Sequence, residues 1–225
     1  MNLGLRRLWN HLAQRWSHSN KDQSNRGVAA NAPDQPVIRV SWQEAMAFCR
    51  WLSEKTGRKF TLPTEAQWEY ACRAGTATPM NYGAIDTDFA KFANFADARI
   101  SSLTRRDSPK WIPSIKAVND GSVITATVGK YAPNAWGLSD MHGNAGEWTR
   151  STYRPYPYNP ADGRDAPAAE GRKVVRGGSF YDRPKRGTSS FRLDYPSWRG
   201  VYNVSFRVIC DIQPKAAVAS AKQAK

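Results

Sequence analysis

Histidine and cysteine, the residues that most often carry metal or redox chemistry, are scarce in this chain. Each occurs three times among 225 residues, as His11, His18, His142, Cys49, Cys72 and Cys210. A three-histidine metal centre would need both histidines of a polar N-terminal segment, and no cysteine pair has CxxC spacing. The sequence therefore argues against histidine-based metal chemistry and against a disulfide scaffold.

Long apolar runs are also missing. No stretch approaches the roughly 20 apolar residues of a membrane-spanning helix, and the mean hydropathy is −0.64. Hydrophobic residues nevertheless make up 40% of the chain and aromatics 12%, which is enough for a folded core. No signal-peptide pattern is present, so a cytoplasmic location is the default expectation.

Acidic residues are few compared with basic ones. The chain has 33 Lys and Arg against 19 Asp and Glu, a formal charge of +14. Residues 172–207 hold nine basic and two acidic residues, which is half of that charge, with aromatic residues between them. Three interpretations stay open: a pocket for an anionic group or peptide, non-specific nucleic-acid binding as the less favoured reading, or internal pairing with the domain's own carboxylates.

Residues 1–35 differ from the rest of the chain. Residues 1–16 place Leu and Trp at helical spacing with Arg between them, which predicts a basic amphipathic helix that lies on a membrane surface or a partner, or a plain surface helix. A polar linker follows to residue 35. The folded domain is predicted over residues 36–212, and residues 213–225 are predicted to be a disordered tail.

Two helices and a few short strands are predicted within the domain. Ser41 with Glu44, and Thr64 with Gln67, form capping boxes that start the helices, and glycines end them. The strand candidates are residues 37–40, 173–176, 189–193 and 204–210. Residues 76–131 have no sustained period, which is typical of a loop-rich region held by something other than a ladder of hydrogen bonds.

Five segments, in order, resemble the formylglycine-generating enzyme family, also called sulfatase-modifying factors. They are PVIRVSWQEAMAFCRWL, FTLPTEAQWEYACRAG, NAWGLSDMHGNAGEW, VVRGGSF and VSFRVIC. The resemblance implies an α+β, C-type-lectin-like fold that is loop-rich, with two main helices. Relatives carry an additional segment with a G-G-x-F-x-M-G motif before the part that matches Pro36 onwards, so an N-terminally truncated domain is expected. Many relatives are exported.

The resemblance also implies calcium, at one or two sites. In the first site Asp140 and Glu147 match side-chain ligands, and Gly143 and Ala145 match carbonyl ligands. In the second site Asn94 and Asp120 match side-chain ligands, and Phe95 and Ser122 match carbonyl ligands. Oxygen ligands from irregular chain are what Ca²⁺ prefers.

The family's enzyme oxidises a cysteine of nascent sulfatases with two thiols that bind copper(I). These thiols lie three and eight residues after the Ser of the GGS motif, which is Ser179 here, and the two positions are Asp182 and Gly187. Copper is therefore not expected, because copper(I) prefers thiolate ligands. The resemblance further implies a disulfide between Cys49 and Cys210, although Cys210 lies two residues beyond the usual place.

The favoured hypothesis is a non-catalytic, calcium-stabilised member of this family that binds an anionic group, a peptide or a protein. The candidate ligand-binding residues are Arg176, Ser179, Asp182, Arg183, Arg192 and Trp198. Two alternatives remain open. One is an oxidase that acts on protein cysteine without the thiol pair, and the other is a lectin-like display scaffold.

Overall fold

The computed structural model of the chain describes residues 30, 32–103 and 113–211, and for residues 101–103 the backbone only. The predictions of a basic helix within residues 1–16 and of a disordered tail at 213–225 lie outside the described residues. Within them no helix is long and apolar enough to cross a membrane.

Two α-helices follow each other closely in the described part of the chain, α1 at Trp42–Thr56 and α2 at Glu65–Arg73. Both begin with the predicted reciprocal capping boxes, on Ser41 and Thr64. Gly57 ends α1 in the left-handed conformation, as predicted, whereas Ala74 takes that role for α2. The capping signals thus fix where the two helices start.

Six short strands form two sheets in the described residues. Their bounds are β1 Phe60–Thr61, β2 Gly146–Thr152, β3 Arg172–Arg176, β4 Leu193–Pro196, β5 Val204–Phe206 and β6 Ile209–Cys210. The four-stranded sheet has the order β4-β3-β2-β5, in which only the β2–β5 pair is parallel. Strands β1 and β6 form an antiparallel pair. Two 3₁₀ helices, Ala98–Leu103 and Pro184–Arg186, lie in the long connections.

The strand predictions were correct only in part. Strand β3 confirms the candidate at 173–176, but residues 37–40 and 189–192 are not strands. Residues 204–210 divide into β5 and β6, which belong to different sheets. The longest strand, β2, was not predicted, because its sequence does not alternate between apolar and polar residues. Both of its faces are buried, and the polar residues Thr149 and Ser151 are buried together with Trp148.

The main hydrophobic cluster lies between α1 and the four-stranded sheet. Trp42, Met46 and Cys49 of α1 pack there with Trp148 of β2 and Val175 of β3. The indole N–H of Trp148 donates a 2.9 Å hydrogen bond to the carbonyl of Val40, so this buried polar group is paired. The architecture is mixed α+β with two helices and few strands, as predicted.

The expected disulfide is not formed, because all three cysteines are free thiols. Cys49 is buried in the main cluster, and Val208, which lies between β5 and β6, packs against this cluster. Cys210 lies one strand repeat further along, paired with Phe60 and half-buried. The displacement of two residues therefore places the second thiol in the β1–β6 pair.

Candidate functional site

The two positions that match the family's thiols lie at a buried polar cluster beneath the surface. The hydroxyl of Ser179 donates to Asp182 over 2.6 Å and accepts from the side-chain amide of Asn203 over 2.7 Å. Arg186 lies 3.4 Å from the other carboxylate oxygen of Asp182, and its own side chain is 60% exposed. A carboxylate held in this way supplies no soft ligand for copper(I).

The second thiol position is filled by an aromatic ring. Gly187 has no side chain, and a Cβ atom added there would lie 2.2 Å from Cζ of Phe95. Phe95 is fully buried and packs edge to face on Phe89, with ring centroids 5.4 Å apart. The space that a cysteine side chain would occupy is therefore part of a packed core.

A buried histidine holds the backbone of Gly187. The backbone N–H of Asn81 donates to Nε2 of His142 over 2.9 Å, so Nδ1 carries the proton and donates to the Gly187 carbonyl over 2.7 Å. Burial lowers the pKa of His142 to about 4, so the ring is neutral near pH 7. The histidine therefore positions the backbone of Gly187 beside Phe95. Because both of its ring nitrogens are bonded to backbone groups, it is not arranged as a general base.

Two of the predicted ligand-binding arginines, Arg176 and Arg192, are part of an internal ion network. Arg176 is buried and pairs with Glu65 at 3.0 Å and with Glu69 at 2.5 Å. Arg192 pairs with the same Glu65, and its guanidinium lies 4.3 Å from the ring centroid of Tyr153. The prediction that both arginines bind an external ligand is corrected, because the domain's own carboxylates hold them.

Other predicted residues are exposed at the surface. Trp198 is 69% exposed, and Arg183 is also exposed. Ser179 and Asp182 are buried and bond to each other, so they support the surface from below. Among the described residues Arg183 has no carboxylate partner, which leaves its charge open to an external anion.

We define the aromatic-basic surface as Tyr181, Arg183, Arg186, Trp198, Arg199 and Tyr202. Tyr181 and Tyr202 contact edge to face with centroids 5.5 Å apart. Arg199 lies 6.0 Å from the ring of Tyr195, and the charges of Arg186 and Arg199 partly offset the rise that burial causes in the pKa of Tyr195. Exposed guanidinium groups beside aromatic rings can bind carboxylate or phosphate and stack on planar groups.

The first calcium set offers one carboxylate oxygen without a protein partner, although no group of three or more Asp, Glu, His or Cys side chains that could hold a metal ion occurs among the described residues. Oδ2 of Asp140 accepts the backbone N–H of Gly129, while Oδ1 is buried and accepts nothing from the described residues. Both oxygens of the Glu147 carboxylate accept from the Arg207 guanidinium, and Oε2 also accepts from the Trp68 indole, so a cation would share this carboxylate with Arg207. A calcium ion would be held by the carboxylates of Asp140 and Glu147. Burial raises the pKa of Asp140, and the positive charge of the ion would favour its ionised form.

A glycine is required within this set. Gly143 has a φ of +72°, and a Cβ atom there would lie 2.3 Å from the backbone oxygen of Asn94. The N–H of the following residue, Asn144, donates to that same oxygen over 2.8 Å. This close approach joins the two segments that carry the predicted ligands, Gly143 of the first set and Asn94 of the second.

The residues of the second calcium set are also engaged by protein groups. The Asp120 carboxylate already accepts the N–H groups of Phe95 and Ser122. The ammonium group of Lys130 lies 2.7 Å from the Ser122 hydroxyl and 3.2 Å from the Asp120 carbonyl. The side-chain amide of Asn94 donates to the Ile124 carbonyl. A lysine thus supplies positive charge beside this turn.

Sequence reasoning missed residues whose partners lie far away in the chain. Glu65 has no local signal in the sequence that marks it, yet it joins Arg176 and Arg192 across more than 100 residues. Phe95 was expected to contribute only a carbonyl, and its ring fills the space at Gly187. The absence of a side chain at a thiol position was the one available signal that something else occupies the space.

The fold and the site together describe a mixed α+β domain in which the positions of a thiol pair hold a carboxylate and a glycine. The chain belongs to the sulfatase-modifying factor enzyme 1-like domain family, whose sequence model matches residues 6–212. It is 31% identical to the formylglycine-generating enzyme of Streptomyces coelicolor over 74% of this chain and 48% of that protein. It is also 32% identical to the "inactive C-alpha-formylglycine-generating enzyme 2" of Mus musculus, over 65% of this chain and 38% of that one.

A solved structure gives the same assignment of fold. PvdO from Pseudomonas aeruginosa matches with a TM-score of 0.67 and 25% identity, covering 89% of this chain and 77% of that one. The chain spans less than half the length of the two curated relatives named above.

Proposed function

We propose that this chain is a non-catalytic member of the family that binds an anionic peptide at the aromatic-basic surface. The observation that carries the proposal is the Phe95 ring in the space at Gly187, where the family's second thiol would lie. A dithiolate copper(I) centre needs two sulfur ligands, and Asp182 and Gly187 offer none. A relative named as inactive supports the view that this family includes members without the activity.

The chemistry of the surface supports an acidic ligand. Arg183 and Arg199 are exposed and lack carboxylate partners among the described residues, and Arg186 shares only a 3.4 Å contact with Asp182. Tyr181, Trp198 and Tyr202 add exposed aromatic area, which is 38%, 69% and 42% accessible respectively. Rigid aromatic side chains with arginine are the residues that most often dominate binding energy at interfaces.

Catalysis is tested with a cysteine-containing sulfatase peptide, copper and a reductant, followed by mass spectrometry for the aldehyde. We expect no aldehyde from this chain. The Streptomyces coelicolor formylglycine-generating enzyme serves as the positive control. Aldehyde formation by this chain above the level of copper alone would refute the non-catalytic assignment.

Binding is tested with a fluorescein-labelled glutamate-rich peptide. Charge reversal at Arg186 and Arg199 to Glu is expected to weaken binding by about tenfold or more, which corresponds to roughly 1.4 kcal/mol. Lys55→Glu/Lys116→Glu, two exposed positions away from this surface, makes the same charge change and is the matched control. Equal binding by all three proteins would exclude the surface, and a steep salt dependence with unrelated oligonucleotides would favour nucleic acid as the ligand.

A calcium ion at the Asp140 and Glu147 carboxylates is part of the same proposal. The buried Oδ1 of Asp140, which has no partner among the described residues, supports it. The ion would stabilise the segment that also carries Gly143, close to the chain that fills the Gly187 position. It would have a structural role and no part in chemistry.

A further inference from the structure

An open groove of about 720 Å³ lies on the domain, lined mainly by apolar side chains. Its walls come from α1, from the segment around Leu138 and from the chain at β5, and they include Phe48, Val128, Leu138, Phe206 and Val208. Phe48 and Phe206 contact edge to face, with centroids 5.5 Å apart. Strand β5 lies at the edge of its sheet, so both apolar side chains and a strand edge border the groove.

The chain itself enters at the rim of this groove. Residues 33–37, close to the start of the described residues, contribute to its lining. Everything upstream of residue 33 is therefore attached to the groove by a short connection. Ala30 is buried against the domain, so the connection comprises the 13 residues from Ser17 to Ala29. As a flexible chain they would span roughly 18–22 Å, which is sufficient to return a segment to the groove.

The upstream sequence has apolar and basic residues that complement the apolar lining and the acidic rim of the groove. Residues 5–16 carry Leu5, Leu8, Trp9, Leu12 and Trp16 at helical spacing. A helix of this length would extend about 18 Å. Arg6, Arg7 and Arg15 lie between the apolar positions and no acidic residue occurs, while the exposed carboxylate of Asp34 lies at the rim.

We infer that the groove binds residues 5–16 of the same chain, with the leucine and tryptophan face against Phe206, Val208 and Leu138. The family match reaches back to residue 6, which is consistent with the segment being part of the domain. The contact would bury the apolar lining, cover the edge of β5 and place arginines near Asp34. The groove shares no residue with the aromatic-basic surface, but its lining includes Asp140, Ala145 and Glu147 of the proposed calcium site, so the tests of the segment are made at one fixed calcium concentration.

Hydrogen exchange on the full chain tests the inference. The amides of residues 137–140 and 205–208 are expected to exchange at least about tenfold faster in Leu8→Asp/Leu12→Asp than in the wild type. Asn10→Asp/Gln14→Asp makes the same charge change on the polar positions and should leave the exchange slow. The amides of β3 provide an internal reference that should not change in any variant.

A change on the groove side gives a second, independent readout. Val128 is 61% exposed, so Val128→Asp alters the groove with little effect on the core, and it should accelerate exchange at residues 205–208 as the segment variant does. Equal exchange in the wild type and in both variants would overturn the inference.

Protection lost on dilution would assign the groove to a second copy. Vesicles of phosphatidylcholine and phosphatidylglycerol that bind the wild type but not the segment variant, with equal groove exchange, would assign the segment to a membrane surface.

Discussion

At position 187 the absence of a side chain allows the Phe95 ring to lie against the backbone. Gly187→Cys is expected to lower the free energy of unfolding by about 1–3 kcal/mol, because the new side chain must displace a packed ring. Urea denaturation measures this cost. In a Phe95→Ala background the same substitution should cost less, since the obstacle is gone. Equal costs in both backgrounds would show that the ring does not fill the thiol position.

The three thiols differ in accessibility and acidity. Burial raises the pKa of Cys49 to about 11 and that of Cys72 to about 12, whereas Cys210 is half-buried. Because the thiolate is the reactive form, Cys210 alone should react quickly with a disulfide reagent in the native protein at pH 8, and all three should react in denaturant. Cys210→Ser should abolish the native reaction. A single reactive thiol in denaturant without reductant would instead indicate a Cys49–Cys210 bridge.

At the scale of elements, Glu65 ties the start of α2 to strand β3. It is buried, and it pairs with both Arg176 and Arg192. Glu65→Gln leaves the buried guanidinium of Arg176 with Glu69 alone and removes the carboxylate partner of Arg192, so we expect a loss of about 3–5 kcal/mol in chemical denaturation. Glu54→Gln, on the exposed side of α1, should have little effect. Similar stabilities for the two variants would mean that the network contributes nothing measurable.

Strand β3 also carries a buried lysine. Lys173 lies over the Trp42 ring at 4.4 Å and donates to the Thr152 hydroxyl at 2.9 Å and to the Ala169 carbonyl, with no carboxylate partner among the described residues. Burial lowers its pKa below 10.5. The unfolded chain therefore binds more protons than the native protein between the lowered pKa and 10.5, so this group's contribution to stability rises with pH across that window.

The prediction for Lys173 concerns a difference between two proteins. Wild type and Lys173→Met are compared by urea denaturation at several pH values from neutral to alkaline. The wild type should gain stability relative to the variant as the pH rises through the window. Using the difference removes the opposing contributions of the buried thiols, whose raised pKa values destabilise the fold at alkaline pH. A constant difference across the range would contradict the lowered pKa.

At the scale of the molecule, the sequence predicted what depends on neighbouring residues. The capping boxes on Ser41 and Thr64 are local, and both helices begin where they were expected. Strand pairing and charge pairing depend on distant segments. Residues 204–210 divide between two sheets because β5 pairs in parallel with β2 while β6 pairs with β1. No local sequence pattern reveals these pairings. For the same reason Arg176 and Arg192 were misread as ligand-binding residues.

The whole domain is expected to depend on calcium at one set of residues. Chelation should lower the melting temperature by several degrees, because a ligand that binds only the native state stabilises it by about 2.7 kcal/mol at one hundred times its dissociation constant. Differential scanning calorimetry with calcium and with chelator measures the shift. Magnesium at the same concentration is the ionic control, since it demands a more rigid octahedral site.

Two substitutions assign the effect to a particular carboxylate. Asp140→Ala should abolish the calcium-dependent shift, because it removes the buried oxygen that has no protein partner among the described residues. Asp120→Asn should retain the shift even if it lowers the baseline stability, because Lys130 already supplies positive charge beside that turn. Loss of the shift in Asp120→Asn would show that the second set also binds calcium. An identical melting curve with calcium and with chelator in the wild type would remove calcium from the account of this fold altogether.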